Sequence, residues 1–199
     1  NCIFCMSAYS TCLGGSLVSY NSDAFIYRCN FTNNSVLCPN YVCISYGGAA
    51  FITQKSEFDS CIFSENKVSS SYQSYGSAVY IESQSSSFKN CAFLYNIAEA
   101  SQLNGYASAT VYMSKNSKCG FESCEFNFNH VKSHDDDAYA GAIYMNAGTG
   151  NIDYCTFRAN KVACITGYSL SSGAALYMIA STTGYCNSCV FIENNSTSY

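Results

Sequence analysis

Apolar and polar residues alternate along this chain in short runs separated by Gly, Ser and Asn, and nothing recurs at helical spacing across those runs. The clearest run reads Gly47-Gly48-Ala49-Ala50-Phe51-Ile52. It recurs as Gly76-Ser77-Ala78-Val79-Tyr80-Ile81, Ser108-Ala109-Thr110-Val111-Tyr112-Met113, Ala140-Gly141-Ala142-Ile143-Tyr144-Met145 and Gly173-Ala174-Ala175-Leu176-Tyr177-Met178, with a degenerate first copy at Gly14-Gly15-Ser16-Leu17-Val18. Each is a short strand by pattern and bounding residues. Side chains alternate between the faces of a strand. Ala50, Val79, Val111, Ile143 and Leu176 therefore share an aliphatic face with Ile52, Ile81, Met113, Met145 and Met178, which is expected to point inward. Phe51, Tyr80, Tyr112, Tyr144 and Tyr177 fall on the opposite face, an aromatic column expected outside.

A second motif, Cys-x-Phe, starts at Cys2, Cys29, Cys61, Cys91, Cys124, Cys155 and Cys189, at intervals of 27, 32, 30, 33, 31 and 34 residues. From the second copy on, an Asn follows three residues after the Phe: Phe31 with Asn34, Phe63 with Asn66, Phe93 with Asn96, Phe126 with Asn129, Phe157 with Asn160 and Phe191 with Asn194. The first copy has Ser7 there. Like residues at like phases mean one coil per repeat, stacked by parallel pairing. The expected fold is all-β: a right-handed parallel β-helix over residues 1–199, with about six coils of ~31 residues, two or three short strands in each, and a length of roughly 30 Å at ~4.8 Å per coil. Cys and Phe of each copy point inward, and the residues between them, such as Asn30, Ile62, Glu125 and Val190, point outward. The recurring Asn is expected to form an internal amide ladder at a turn, since Asn tolerates the left-handed conformation.

The motifs Gly-Gly-Ala-[Ile/Val/Leu] and Phe-x-x-Asn, carried by Gly47-Gly48-Ala49-Ala50, Ala140-Gly141-Ala142-Ile143 and Phe63 through Asn194, resemble the repeat signature of polymorphic outer-membrane-protein-type surface proteins of chlamydiae and some protists. The resemblance covers nearly the whole chain. It implies a β-helical passenger exposed at a surface, with adhesion as the usual role. The Cys before each Phe is not part of that signature, and no membrane-barrel segment is present.

Composition narrows the function classes. With 48% apolar and 16% aromatic residues the chain is not disordered. A net charge of -4 and 11% charged residues disfavour nucleic acid as a partner. No apolar run is long enough for a transmembrane helix. The 14 cysteines, low Lys/Arg content and sequons at Asn30, Asn33, Asn194 and Asn195 fit a secreted or cell-surface protein. The column Cys29, Cys61, Cys91, Cys124, Cys155, Cys189 is expected to hold stacked reduced thiols. Disulfides are expected among Cys5, Cys12, Cys38, Cys43, Cys119, Cys164 and Cys186, with Cys38 and Cys43 placed to staple the loop at Pro39.

Candidate chemistry is sparse. Asp135, Asp136 and Asp137 form the one acidic cluster, a weak Ca²⁺ candidate without calcium-loop spacing; a solvated loop is the simpler reading. Arg28, Arg158, His130 and His134 are too few and scattered for the carboxylate or arginine chemistry of polysaccharide-cleaving β-helices. No enzyme activity and no cofactor are expected. The aromatic column from Phe51 to Tyr177 is a candidate binding face for a glycan or a host or cell-surface partner, against the plainer reading of a stabilising ladder. The chain opens at Cys2-x-Phe4 and closes after Cys189-x-Phe191, near one phase of the repeat. That fits either a segment of a longer β-helix or a subunit stacking head to tail on itself. The functional expectation is an extracellular structural or surface β-helix, self-assembling end to end or serving as an adhesin passenger; the alternative is a polysaccharide-binding or polysaccharide-degrading protein.

Overall fold

The chain folds as a parallel β-solenoid of about six coils; the computed structural model describes residues 2–4, 9–39, 42–83, 85–101, 105–165, 169–180 and 182–198. Among the described residues there is no helix. Each coil holds five short strands rather than the two or three expected, and like strands stack into five parallel sheets. A central coil runs Lys67–Ser70 (sheet A), Gln73–Tyr75 (B), Val79–Ile81 (C), Ser86–Lys89 (D) and Ala92–Leu94 (E). Sheet D carries a second Phe column that the motif reading passed over: Phe58, Phe88 and Phe121 pair in register, three residues before each Cys.

Stacking register follows the motifs. Phe31, Phe63, Phe93, Phe126, Phe157 and Phe191 stack face to face with ring centroids 4.6 to 4.9 Å apart. The sheet D phenyls meet them edge to face, as at Phe58–Phe63, 5.6 Å. Edge-to-face contact puts the positive ring edge on the negative face of its neighbour, which favours one mutual arrangement of the two columns. With Ile52, Ile81, Met113 and Met145 these rings form the main core, as the inward aliphatic face requires. At the last coil Met178 is exposed, because no further coil covers it among the described residues.

The motif at Cys2 is not a copy of the others. Cys2–Phe4 pairs with Ser35–Leu37 in sheet A, whereas Asn30–Thr32 and its equivalents form sheet E. The short first interval and the missing Asn at Ser7 are the sequence traces of this different phase. Sheet A therefore gains a seventh strand, and Cys2–Phe4 and Asn195–Ser198 are its two edges.

Each coil turns at residues in the left-handed region. One set precedes the Cys column (Arg28, Ser60, Asn90, Ser123, Tyr154, Ser188) and another precedes the Asn column (Asn33, Glu65, Tyr95, Phe128, Ala159, Glu193), all with φ between 50° and 56° except Phe128 at 58°. The ladder asparagines are not in that conformation, contrary to expectation. The neighbour takes the strained backbone, which leaves the Asn side chain free to point inward. The corner N–H groups continue the ladder to the next coil, as Ser60 N–H to Lys89 O and Glu65 N–H to Leu94 O, both 2.9 Å.

Candidate functional site

The Asn column is a closed hydrogen-bond system. Asn34, Asn66, Asn96, Asn129 and Asn160 each donate from Nδ2 to Oδ1 of the next Asn, at 2.9 to 3.0 Å, ending on Asn194. The same Oδ1 accepts the preceding rung's backbone N–H, and from Asn66 on each Nδ2 also donates to the carbonyl of a Phe one coil back. All but Asn194 are buried. An amide has two donor hydrogens and two acceptor lone pairs, so an interior rung is satisfied without water. Asn194 spends its Nδ2 on Phe157 O, which leaves its sequon a poor glycan acceptor in the folded chain. The other sequon residues, Asn30, Asn33 and Asn195, are exposed.

The cysteine column holds free thiols from Cys29 through Cys61, Cys91, Cys124 and Cys155 to Cys189. Cys61, Cys91, Cys124 and Cys155 are buried, and each thiol faces two main-chain carbonyls, as Cys91 with Lys89 O at 3.2 Å and Phe58 O at 3.5 Å. Burial pushes the Cys61 thiol up to about 11 and Cys119 well above its ordinary value. Thiolate is the reactive form, so Cys61 and Cys119 act as small core groups rather than nucleophiles, whereas hydrogen bonding from Cys124 lowers the pKa of Cys91 and Cys155. Off the column, Cys38 and Cys43 form the disulfide expected across Pro39. Cys119, Cys164 and Cys186 are free thiols, against the expectation of pairing, and Cys5 lies outside the described residues.

The aromatic column on sheet C is not a surface. Phe51, Tyr80, Tyr112 and Tyr144 are only 5 to 7% exposed. They stack on one another at 4.8 to 5.3 Å, and Tyr144 stacks on the half-buried Tyr177 at 5.4 Å. What covers them is a second set of tyrosines from sheet B. Tyr46 packs on Tyr80 at 4.5 Å, Tyr75 on Tyr112 at 4.8 Å and Tyr139 on Tyr177 at 4.7 Å. The chain bends between sheets B and C at Gly47, Gly76, Ala109, Ala140 and Gly173, all at positive φ. The bend turns the outer faces of the two sheets toward each other, and the rings fill the angle as a separate apolar cluster. Alternation assigned the face correctly, but that face closes on its neighbour. Burial raises the phenol pKa values here, to about 12 at Tyr112.

The acidic loop is tied into the fold. Asp137 accepts Tyr139 O–H at 2.5 Å on one carboxylate oxygen and Leu170 N–H at 2.8 Å on the other, and Asp136 accepts Asp137 N–H at 2.8 Å. Asp135 lies 3.6 Å from His134. Among the described residues the one place where three metal-ligating groups converge is elsewhere, at Cys12, Cys38 and Cys43, so the Ca²⁺ candidate at Asp135, Asp136 and Asp137 gains no support. The surface charges on sheet A are paired across coils, Lys67 and Lys132 both reaching Glu99 at 2.9 and 3.5 Å. Burial, and then Lys161 and Lys132, lower the pKa of His130. One exposed aromatic pair, Tyr95 and Phe128, stacks at 5.1 Å on the turn before the Asn column. Comparison with protein-family models, with curated proteins and with solved structures gives no match.

Proposed function

We propose that this chain is a structural β-solenoid rod of an extracellular or cell-surface protein, working by coil-on-coil extension rather than by catalysis. The carrying observation is what the repeated side chains do: the Phe and Asn columns are spent on stacking like coils inside the rod, Phe on Phe at 4.6 to 4.9 Å and Asn amide on Asn amide at 2.9 to 3.0 Å. Burying one Phe contributes about 1.5–3 kcal/mol, so each coil in such a stack is held by its neighbours.

The disulfide and the exposed Asn30, Asn33 and Asn195 are compatible with the extracellular reading. The resemblance to polymorphic outer-membrane-protein-type repeats supports a surface location. For the adhesin and polysaccharide alternatives, the sheet C aromatic column offers little exposed surface, Phe51, Tyr80, Tyr112 and Tyr144 being 5 to 7% exposed. Tyr95 and Phe128 are exposed but form a single stacked pair, 5.1 Å apart, at one turn.

The test is denaturant melting of the 199-residue chain with and without Phe126→Ala, in the middle of the inner Phe column, beside a glycan-array screen of the folded chain. A loss of about 3–5 kcal/mol and no saturable glycan binding are expected. A loss under about 1 kcal/mol, or saturable glycan binding by the intact rod, would overturn the structural reading.

A further inference from the structure

We propose that Cys12, Cys38 and Cys43 form a redox-gated binding site for a thiophilic d¹⁰ cation, Zn²⁺ or Cu⁺, that clamps the first coil to the second. The three sulfurs lie within 4.8 Å of one another, and all three residues are at most 1% exposed. None is a free thiol as the structure stands, Cys38 and Cys43 being joined to each other. A metal–thiolate bond of about 2.3 Å puts the sulfurs of a trigonal or tetrahedral site roughly 3.8 to 4.0 Å apart, inside that limit. Soft thiolate ligands select these cations over Mg²⁺ or Ca²⁺.

Position argues that the cluster is a device and not filler. Cys12 stacks on Ser45, Ser74, Ala107, Ala138 and Ser171 in the other coils. Cys38 stacks on Ser70, Ala100, Ser133, Cys164 and Ser198. Ser and Ala fill this corner between sheets A and B in the other coils except at the lone free thiol Cys164, so packing does not call for three sulfurs together. Among the described residues, three converge where the first coil, which carries Cys12, meets the second, which carries Cys38 and Cys43.

The chemistry balances with a low-molecular-weight monothiol as reductant. One thiolate attacks a sulfur of the Cys38–Cys43 disulfide, giving a mixed disulfide and one protein thiolate, and a second releases the other protein sulfur and leaves as the oxidised dimer of the reductant. The disulfide that holds Cys12 is opened in the same way, so four monothiols leave as two oxidised dimers and free four protein thiols, Cys12, Cys38 and Cys43 among them. The cation then displaces one proton from each of three thiols. Disulfide and metal are thus alternative occupants of one pocket.

The full chain is reduced anaerobically, loaded with Zn²⁺ or Cu⁺ in separate arms, and challenged with a chelator. One tightly held equivalent is expected in at least one arm, weakened at least about 100-fold by Cys12→Ser, since losing a ligand exceeds the 10–100-fold typical of losing an outer partner. It is absent from Cys12→Ser/Cys38→Ser/Cys43→Ser, unchanged in Cys164→Ser, and absent from the unreduced protein. X-ray absorption of the loaded wild type should show three sulfur ligands near 2.3 Å, a readout that needs no variant to fold. The inference is overturned if reduced wild type retains no more metal than the triple variant, if Cys12→Ser binds as tightly as wild type, if the oxidised protein binds equally, or if the sulfur shell has fewer than three atoms.

Discussion

Replacing Asn129 by Ala removes a rung from the middle of the amide ladder. Four hydrogen bonds go with it: those accepted by Oδ1 from Asn96 N–H and Asn96 Nδ2, both 3.0 Å, and those donated by Nδ2 to Phe93 O and Asn160 Oδ1, both 2.9 Å. The site is fully buried, and a methyl group offers the Asn96 N–H no acceptor. At a net contribution of about 1 kcal/mol per bond, the loss comes to about 4 kcal/mol. For a chain of this size each kcal/mol lowers Tm by roughly 2–4 °C, so a drop of roughly 8–16 °C is expected by calorimetry. Solenoid stability is carried by neighbouring-coil interfaces, so amide exchange should quicken first in the coils flanking residue 129. Asn194→Ala should cost much less, because that rung ends the ladder and water can replace its partners. A loss under about 1 kcal/mol for Asn129→Ala, or equal losses at both positions, would refute the ladder as a source of stability.

Other consequences can be checked on the same preparation. A Cβ on Gly48 would fall on the Ser77 carbonyl oxygen and 2.8 Å from Lys67 O, so Gly48→Ala should cost about 3 kcal/mol or more in a denaturant melt. Gly120, whose Cβ would meet nothing within 4 Å, should accept Ala with no loss or a gain of about 0.5 kcal/mol. Tyr112→Ala should destabilise by about 3–5 kcal/mol as a core truncation, whereas Tyr112→Phe, which gives up one 3.4 Å bond from Asn146, should lie within about 1 kcal/mol of wild type by thermal melting. Groups whose folded pKa is raised contribute stability that is present below the unfolded value and lost as pH climbs to the folded one. For Cys61 that window runs from 9 to about 11, and for Tyr112 from 10 to about 12. The contribution of these two groups should therefore be level up to about pH 9 and fall from there to about pH 12. Followed by phenolate absorbance, the Tyr112 cluster should ionise only as β-structure is lost; ionisation near pH 10 in an intact fold would contradict the buried arrangement.

Periodicity alone determined a great deal. A chain of short strand-patterned runs with like residues every ~32 positions stacks its coils in parallel and in register, so the solenoid, the inward aliphatic face and the Phe and Asn columns were legible from strand pattern and spacing together. The disulfide across Pro39 was legible because five residues of chain keep the two sulfurs within reach. The second Phe column at Phe58, Phe88 and Phe121 was also written in the sequence, three residues before each Cys, but the Cys-x-Phe motif drew the eye past it. The phase of Cys2–Phe4 was hinted at only by a short interval. What the spacing could not carry was the angle between sheets. Alternation gives the face of a strand and says nothing about which neighbouring sheet that face meets. The left-handed residues at the corner of sheets B and C turned an outward tyrosine column into a second core, shut by Tyr46, Tyr75 and Tyr139. Likewise Cys12, Cys38 and Cys43 sit at unremarkable spacings along the chain. They meet at one point because coil stacking brings residues some thirty positions apart within a few ångströms, a distance that exists only in the folded rod.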